Sequence, residues 1–254
     1  MKDLAKSHPS FRDRFRAAES LGGFQLTSVS PHWPRQLAGA MDFVFIDGEH
    51  HCFSREQVAF LCGAYRSAGI EPIVRVLEPR AALVRAAIDD GAGGIVAPYV
   101  ETVEQVRELV AAVKLRPIQG QRAAAAMADR PLEAPMRAMV DDHCRTNTLI
   151  IQIESQIGVD QCDALLGVDG VDGVLVGSFD LTATLGCLND HADDRYVAAV
   201  RRIAQVCQTR SLGAGIFFAE SPEKERWAQS LGYHLLMHGC DWTLIREAMR
   251  LRMT

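Results

Sequence analysis

The stretch FVFIDGEHHC, Phe43 to Cys52, runs four apolar residues straight into a cluster of Asp47, Glu49, His50 and His51. A strand buried on both faces of a parallel sheet accounts for Phe43 to Ile46, because such strands read as near-continuous apolar runs. Packing gives no reason for the acidic and imidazole groups that follow, so either a polar loop or a reaction site begins there. Working outward, similar runs recur as GGFQLTSV (22–29), EPIVRVL (71–77), GGIVAPYV (93–100), TLIIQIE (148–154), DGVLVGS (172–178), GAGIFFA (213–219) and YHLLMH (233–238), making eight candidate strands in all.

Amphipathic stretches separate them, among them REQVAFLCGAYRSAG (55–69), RAALVRAAIDDG (80–91), TVEQVRELVAAVK (102–114), YVAAVRRIAQVCQTRSLG (196–213) and SPEKERWAQSLG (221–232). Several end on glycine, as helices that close in a left-handed turn do. Eight strands alternating with helices predict a closed (β/α)8 barrel (TIM barrel) of the α/β class, with an open doubly wound sheet as runner-up. A length of 254 residues and 48% hydrophobic content suit one barrel domain over 1–254, preceded by a short helical extension. The longest break in the rhythm, from about Leu115 to Asn147, contains PIQGQRAAAAMADRPLEAP and is expected to hold an ordered loop plus a helix.

The chain carries 27 basic against 32 acidic side chains, with no cluster of lysine and arginine to track phosphates, so nucleic acid is not an expected partner. No apolar stretch approaches the roughly 20 residues needed to span a bilayer, and the polar start MKDLAKSHPSFRDRFR has no signal-peptide core. The seven cysteines are odd in number and scattered without a C-x-x-C pair, which reads as reduced thiols in a cytoplasmic protein.

Reading only the strand ends gives a short list: Asp47, Glu49 and His50 after the second strand, Arg75 in the third, Gln152 and Glu154 at the fifth, and Asp180 after the sixth. Carboxylates gathered on one rim repel unless something positive neutralises them. Glu154 and Asp180, from neighbouring strands, are the natural ligands of a divalent cation. Oxygen ligation with open positions suits Mg2+ or Mn2+, with Co2+ and Zn2+ as further candidates. Each such carboxylate taken alone has a blander role as a helix cap, and it is the set that points to a site. The four lysines, Lys2, Lys6, Lys114 and Lys224, all fall away from strand ends, which argues against a Schiff base and for carbonyl activation by a metal. His51 reads as a solvated loop residue, and His234 and His238 as packed histidines. The GAGG at Gly91 to Gly94 precedes a strand rather than following one and lacks the third glycine of a dinucleotide loop.

These residues resemble the HpcH/HpaI family of class II pyruvate aldolases in the phosphoenolpyruvate/pyruvate barrel superfamily. DFVFIDGEH, PIVRV, IDDGAGGIVAPYVETVEQVRELVAAVK, IIQIES, GVDGVDGVLVGSFDLTATLG and LGYHLLMHGCDWTLI carry the likeness, in order, from Gly22 to about Arg246. The resemblance implies a carbon-carbon lyase that splits 4-hydroxy-2-keto acids into pyruvate and an aldehyde through an enolate. It implies Glu154 and Asp180 as metal ligands, Arg75 as the holder of the keto oxygen and enolate, and His50 as the base, oriented by Asp89. Asp47 and Glu49 would support metal-linked waters, Gln152 would lie just behind the metal, and the amides of Phe179 and Asp180 beside Ser178 would bind the substrate carboxylate. It further implies a homohexamer of dimers that exchange C-terminal helices. Two departures stand out: GSFDL for the family's G-P-A-D-L, which puts Ser178 and Phe179 on the pocket floor, and Ala123 in place of a glycine in the arginine loop. They keep a second activity in view, a Claisen-type reaction with an acyl-CoA of the malyl-CoA or citrate-forming kind. A barrel that binds a keto acid without turnover is a third.

Overall fold

The computed structural model describes residues 9–128, 132–217 and 221–253. After helix α1 (Phe11–Arg16) the chain alternates strand and helix: β1 (Leu21–Leu26), α2 (Trp33–Leu37), β2 (Phe43–Asp47), α3 (Arg55–Ser67), β3 (Glu71–Arg75), α4 (Ala81–Asp89), β4 (Gly94–Ala97) and α5 (Val103–Lys114). Two further helices, α6 (Gly120–Met127) and α7 (Ala134–His143), precede β5 (Thr148–Ile153) and the short α8 (Gln156–Asp160) and α9 (Cys162–Leu166). The second half adds β6 (Gly173–Val176), α10 (Ser178–Thr184), α11 (Asp194–Arg210), β7 (Gly213–Ile216), α12 (Pro222–Ser230), β8 (Leu235–Cys240) and α13 (Asp241–Met253). The strands are all parallel and close in sequence order, with β8 back against β1. This is the (β/α)8 barrel that the eight apolar runs predict; Phe218 and Ala219, at the end of the seventh run, and residues 129–131 of the long break lie outside the described residues.

Local signals set the helix ends. Ser54 and Gln57 form a reciprocal capping box at α3, and Thr102 and Gln105 do the same at α5, each satisfying amides that the first turn leaves open. Gly69, Gly91 and Gly232 take positive φ just beyond α3, α4 and α12, as the sequence led one to expect. At α11 the left-handed residue is Ser211 instead, and Gly213 begins β7. The alanine-rich part of the long break is helical as α6, whose Ala123 is buried with Leu115 and Val140 in a small satellite cluster.

Two apolar cores result. The larger lies between strands and helices, and the smaller fills the barrel itself, where Phe43, Phe45, Ile73, Val96, Ile150 and Leu175 point inward. Phe15 of α1 closes the N-terminal end of the barrel and is fully buried. A Cβ on Gly173 or Gly213 would come within 2.5 or 2.4 Å of its ring, so both positions admit the plug only as glycine. Among the described residues no helix is long and apolar enough to cross a membrane. All seven cysteines are free, and five of them are buried.

Candidate active site

Strand side chains alternate in direction, so the inward set of each strand advances two residues at a time. One step beyond Phe45, Ile73 and Ile150 on that parity come Asp47, Arg75 and Gln152, all buried. The barrel interior is therefore apolar until its last layer and ionic there. Asp47 and Arg75 are register partners on β2 and β3, and the guanidinium forks onto the carboxylate, Nε to Oδ1 at 2.9 Å and Nη2 to Oδ2 at 2.7 Å. Gln25 Nε2 and the amides of Glu49 and His50 also donate to Asp47. Burial disfavours the Asp47 anion, but the hydrogen bonds and charge of Arg75, with those two amides, outweigh it and hold the carboxyl below its ordinary value. Below the guanidinium lies the ring of Phe45, 5.5 Å away.

The third arm of Arg75, Nη1, is 3.0 Å from Glu49 Oε2. It is placed for an ion pair without the alignment of a hydrogen bond, so that buried oxygen has no donor, and neither has Gln152 Oε1. Burial, helped by Asp47 and Asp180, raises the Glu49 carboxyl despite Arg75 and His50. Glu154, 2% exposed just past β5, is pushed up to about 7 by burial, with Asp180 and Glu49 adding to the rise against Tyr99 and Arg75. Both of its oxygens are held. Oε1 accepts the backbone N–H of Tyr99 at 2.8 Å, and Oε2 accepts Gln152 Nε2. Tyr99 achieves this with φ of +48, a left-handed backbone that is uncommon for a bulky residue and marks stored strain. Gly177, at the end of β6, lies so close that a Cβ there would meet Glu154 Oε2 at 2.2 Å, and Asp180 follows three residues on in the first turn of α10.

A cavity of about 510 Å3 opens over this layer, a volume typical of small-molecule sites. Asp47, His50, Arg75, Gln152 and Asp180 line it, with Gly177, Ser178 and Phe179 on the β6 side. Sequence reading missed five more lining residues, Gln25, Asn189, His191, Phe217 and Lys224. Lys224 is indeed away from a strand end, yet it reaches the cavity from the first turn of α12. A larger groove, about 710 Å3, runs along α5 and α6 past Ala111, Ile118 and Met127. It belongs to the helix layer and holds none of the strand-end groups.

One expected pairing is not formed. Asp89 is the last residue of α4, and helices of this barrel run back toward the N-terminal ends of the strands, so Asp89 is on the opposite rim from His50. It is exposed and ion-paired with Arg116. The carboxylate that neighbours His50 in this chain is Glu49, whose Oε2 is 4.0 Å from His50 Nε2. His51 packs against Phe53, and His234 is buried with Nε2 2.9 Å from the carbonyl of Phe15.

Among the described residues no three His, Cys, Asp or Glu side chains gather closely enough to cage a metal alone. The residues nonetheless fit a divalent cation bound by two carboxylates and completed by ligand oxygens and water. Glu154 is raised toward neutrality by burial, with repulsion from Asp180 and Glu49 adding to it, and two buried acceptors nearby lack donors.

Carboxylates and one arginine at the C-terminal rim of a (β/α)8 barrel, with a cavity above them, form an enzyme active site, and the chain's relatives make it that of a carbon-carbon lyase. The chain belongs to the HpcH/HpaI aldolase/citrate lyase family, whose model matches residues 27–248. It is 29% identical over 251 residues to the 2-keto-3-deoxy-L-rhamnonate aldolase of Salmonella gallinarum, covering 96% of this chain and 91% of that one. A solved HpcH/HpaI aldolase/citrate lyase family protein from Burkholderia cenocepacia superposes with a TM-score of 0.81 at 29% identity, covering 95% of this chain and 96% of the other. A citrate synthase structure gives 0.80 at 26% identity and 96% coverage of both.

Proposed function

We propose that the protein is a metal-dependent aldolase that cleaves or forms 4-hydroxy-2-keto acids by way of a pyruvate enolate. The observation that carries this reading is the last layer of the barrel interior, where Arg75 is fixed by Asp47 beneath carboxylates that lack counter-charge. Glu154 and Asp180 would hold a divalent cation, Mg2+ or Mn2+, which when bound supplies Lewis-acid polarisation of the substrate keto group. Arg75 presents a guanidinium that its salt bridge keeps from turning, and that fixed charge favours the enolate oxygen over the neutral ketone. The first turn of α10 has no side-chain cap, so its amides at Phe179 and Asp180, beside Ser178, are available to the substrate carboxylate. His50, exposed at the mouth and neighboured by Glu49 rather than Asp89, would take the C4 hydroxyl proton during cleavage. Asp47, Glu49 and Gln152 keep the arginine and Glu154 in place.

Solvent deuterium entering the methyl group of pyruvate, dependent on added Mg2+ or Mn2+ and abolished by chelation, is the expected result. No exchange under any divalent ion would remove this reading. Arg75→Ala should lower exchange and aldol cleavage alike by about 10²- to 10³-fold, whereas His50→Ala should lower cleavage by about 10²- to 10⁴-fold and exchange much less. Steady-state kinetics of both reactions on the same preparations check this.

The similarity to a citrate synthase supports a second reading, a Claisen-type condensation of an acyl-CoA with oxaloacetate on the same residues. Product masses from acetyl-CoA plus oxaloacetate, beside pyruvate plus aldehydes, separate the two. Trp242, Ile245, Met249 and Met253 leave an exposed apolar face on α13, which supports a homo-oligomer, a hexamer by family analogy, in which that helix packs on a partner subunit. The free cysteines support a reducing, cytoplasmic setting.

A further inference from the structure

Strand β1 breaks its otherwise apolar course with one amide, Gln25. It shares the inward parity of Leu21, which lies in the barrel core, so its side chain enters the same interior as Phe43 and Phe45. Its register partner on β2 is Phe45, two residues short of Asp47. The glutamine side chain spans that step, and Nε2 donates to Asp47 Oδ2 at 2.7 Å. The backbone around it is specialised. Gly23 pairs with Met237 but Gln25 with Cys240, so β8 carries one extra residue here, and Gly239 takes φ of +112 within it. Such irregularities re-aim side chains beside active sites. Just beyond, buried Asp241 accepts the Thr27 amide at 2.9 Å and the Thr27 hydroxyl at 2.5 Å, which anchors the end of β1.

The donors around Asp47 are unevenly shared. Oδ1 accepts Arg75 Nε and the amides of Glu49 and His50, whereas Oδ2 accepts only Arg75 Nη2 and Gln25 Nε2, both at 2.7 Å. Among the described residues Gln25 is thus the one group besides the guanidinium itself that fixes Oδ2. An ionised carboxylate only accepts, so the amide nitrogen of Gln25 must face it. Without that donor the carboxylate can turn about its Cβ–Cγ bond, and the arginine that grips both its oxygens turns with it. We infer that Gln25 is a positioning residue for Arg75: it holds the Asp47 carboxylate in the plane that aims the guanidinium at the substrate oxygen. The inference rests on the enolate reading above and adds to it a residue from β1, a strand that reading does not draw on. Losing one charge-assisted hydrogen bond, and with it a fraction of an ångström in alignment, costs about tenfold in rate.

The test is Mg2+-dependent deuterium exchange into pyruvate from about pH 5.5 to about pH 8.5, with each variant taken as a ratio to wild type at the same pH. Gln25→Met, of similar length without a donor, should lower kcat about tenfold at every pH and leave the KM for pyruvate within about twofold. Gln25→Glu supplies a rescue that a merely structural role does not predict. Its neutral carboxyl donates to Asp47 as the amide does, whereas its anion repels Asp47 across the same short distance. The charged and titratable groups nearby are Asp47 and Arg75, Glu49 and His50 in the loop after β2, and Lys224 on the cavity wall. The Gln25→Glu ratio should therefore stay within about threefold of wild type at the acid end and fall to that of Gln25→Met or lower at the alkaline end. Because the fall is read within one preparation, partial misfolding does not produce it. A Gln25→Met ratio near one, a loss carried by KM with kcat unchanged, or a Gln25→Glu ratio that does not fall with pH overturns the inference. Wild-type exchange tells the failures apart: if it is present, any of these outcomes removes only the role of Gln25, and if it is absent the enolate reading goes too.

Discussion

The two rims of the barrel treat buried carboxylates in opposite ways. At the N-terminal rim Asp172, fully buried ahead of β6, accepts Arg12 Nε at 2.6 Å, Lys114 Nζ at 2.5 Å and the Leu149 amide at 2.8 Å, with Arg16 3.7 Å away. One anion there has three cations. At the C-terminal rim Asp47, Glu49 and Glu154 share Arg75, Asp180 adds a further negative charge, and oxygens of Glu49 and Gln152 have no donor at all. A saturated carboxylate holds α1 and α5 to the barrel, whereas the unsaturated set carries the charge imbalance that the proposed cation would relieve. The difference separates a structural ion cluster from a functional one without reference to any relative.

Glu154→Gln should break the comparison most severely. It removes a charge that the fold disfavours, so stability should hold or rise, while deuterium exchange into pyruvate falls by about 10³-fold with the loss of several kcal/mol of enolate stabilisation. Calorimetry and exchange on one sample measure both. Asp172→Ala should do the reverse. Stranding the part-buried Lys114 and Arg12 and the buried Leu149 amide is expected to cost about 3–5 kcal/mol in denaturant unfolding, with activity per folded molecule retained. The smallest effect concerns pH. Because Glu154 in the fold is raised to about 7, above the ordinary value of 4.5, the native metal-free protein holds a proton that the unfolded chain has lost between those values. Stability of the metal-free protein should therefore decline as pH rises through that window. Thermal unfolding from about pH 5 to about pH 8 should show the decline, and added Mg2+ or the Glu154→Gln substitution should flatten it.

The barrel was legible because its strands are apolar on both faces, and strand ends alone brought out Asp47, Arg75 and Gln152, while their sharing of one inner layer is seen only in the structure. Asp89 was misplaced because a motif match fixes position in sequence but not which rim a helix end reaches. Tyr99 left no trace, since its contribution is a backbone N–H set by an unusual φ, and any residue has an N–H. Lys224 and His191 escaped for a third reason: they reach the cavity from a helix turn and a tethered loop, where no simple period reports direction. Asp172 was hidden inside DGVLVGS, where it looked like ordinary loop polarity before a strand.

The apolar side chains that fill the barrel between Phe15 and the ionic layer make the reaction vessel a blind cup with a single doorway. If pyruvate lies at the bottom and the aldehyde nearer the opening, traffic is forced into single file: the aldehyde must depart first and pyruvate last. Kinetic order in this enzyme is then decided by the filled barrel beneath the ionic layer, which leaves no second way out.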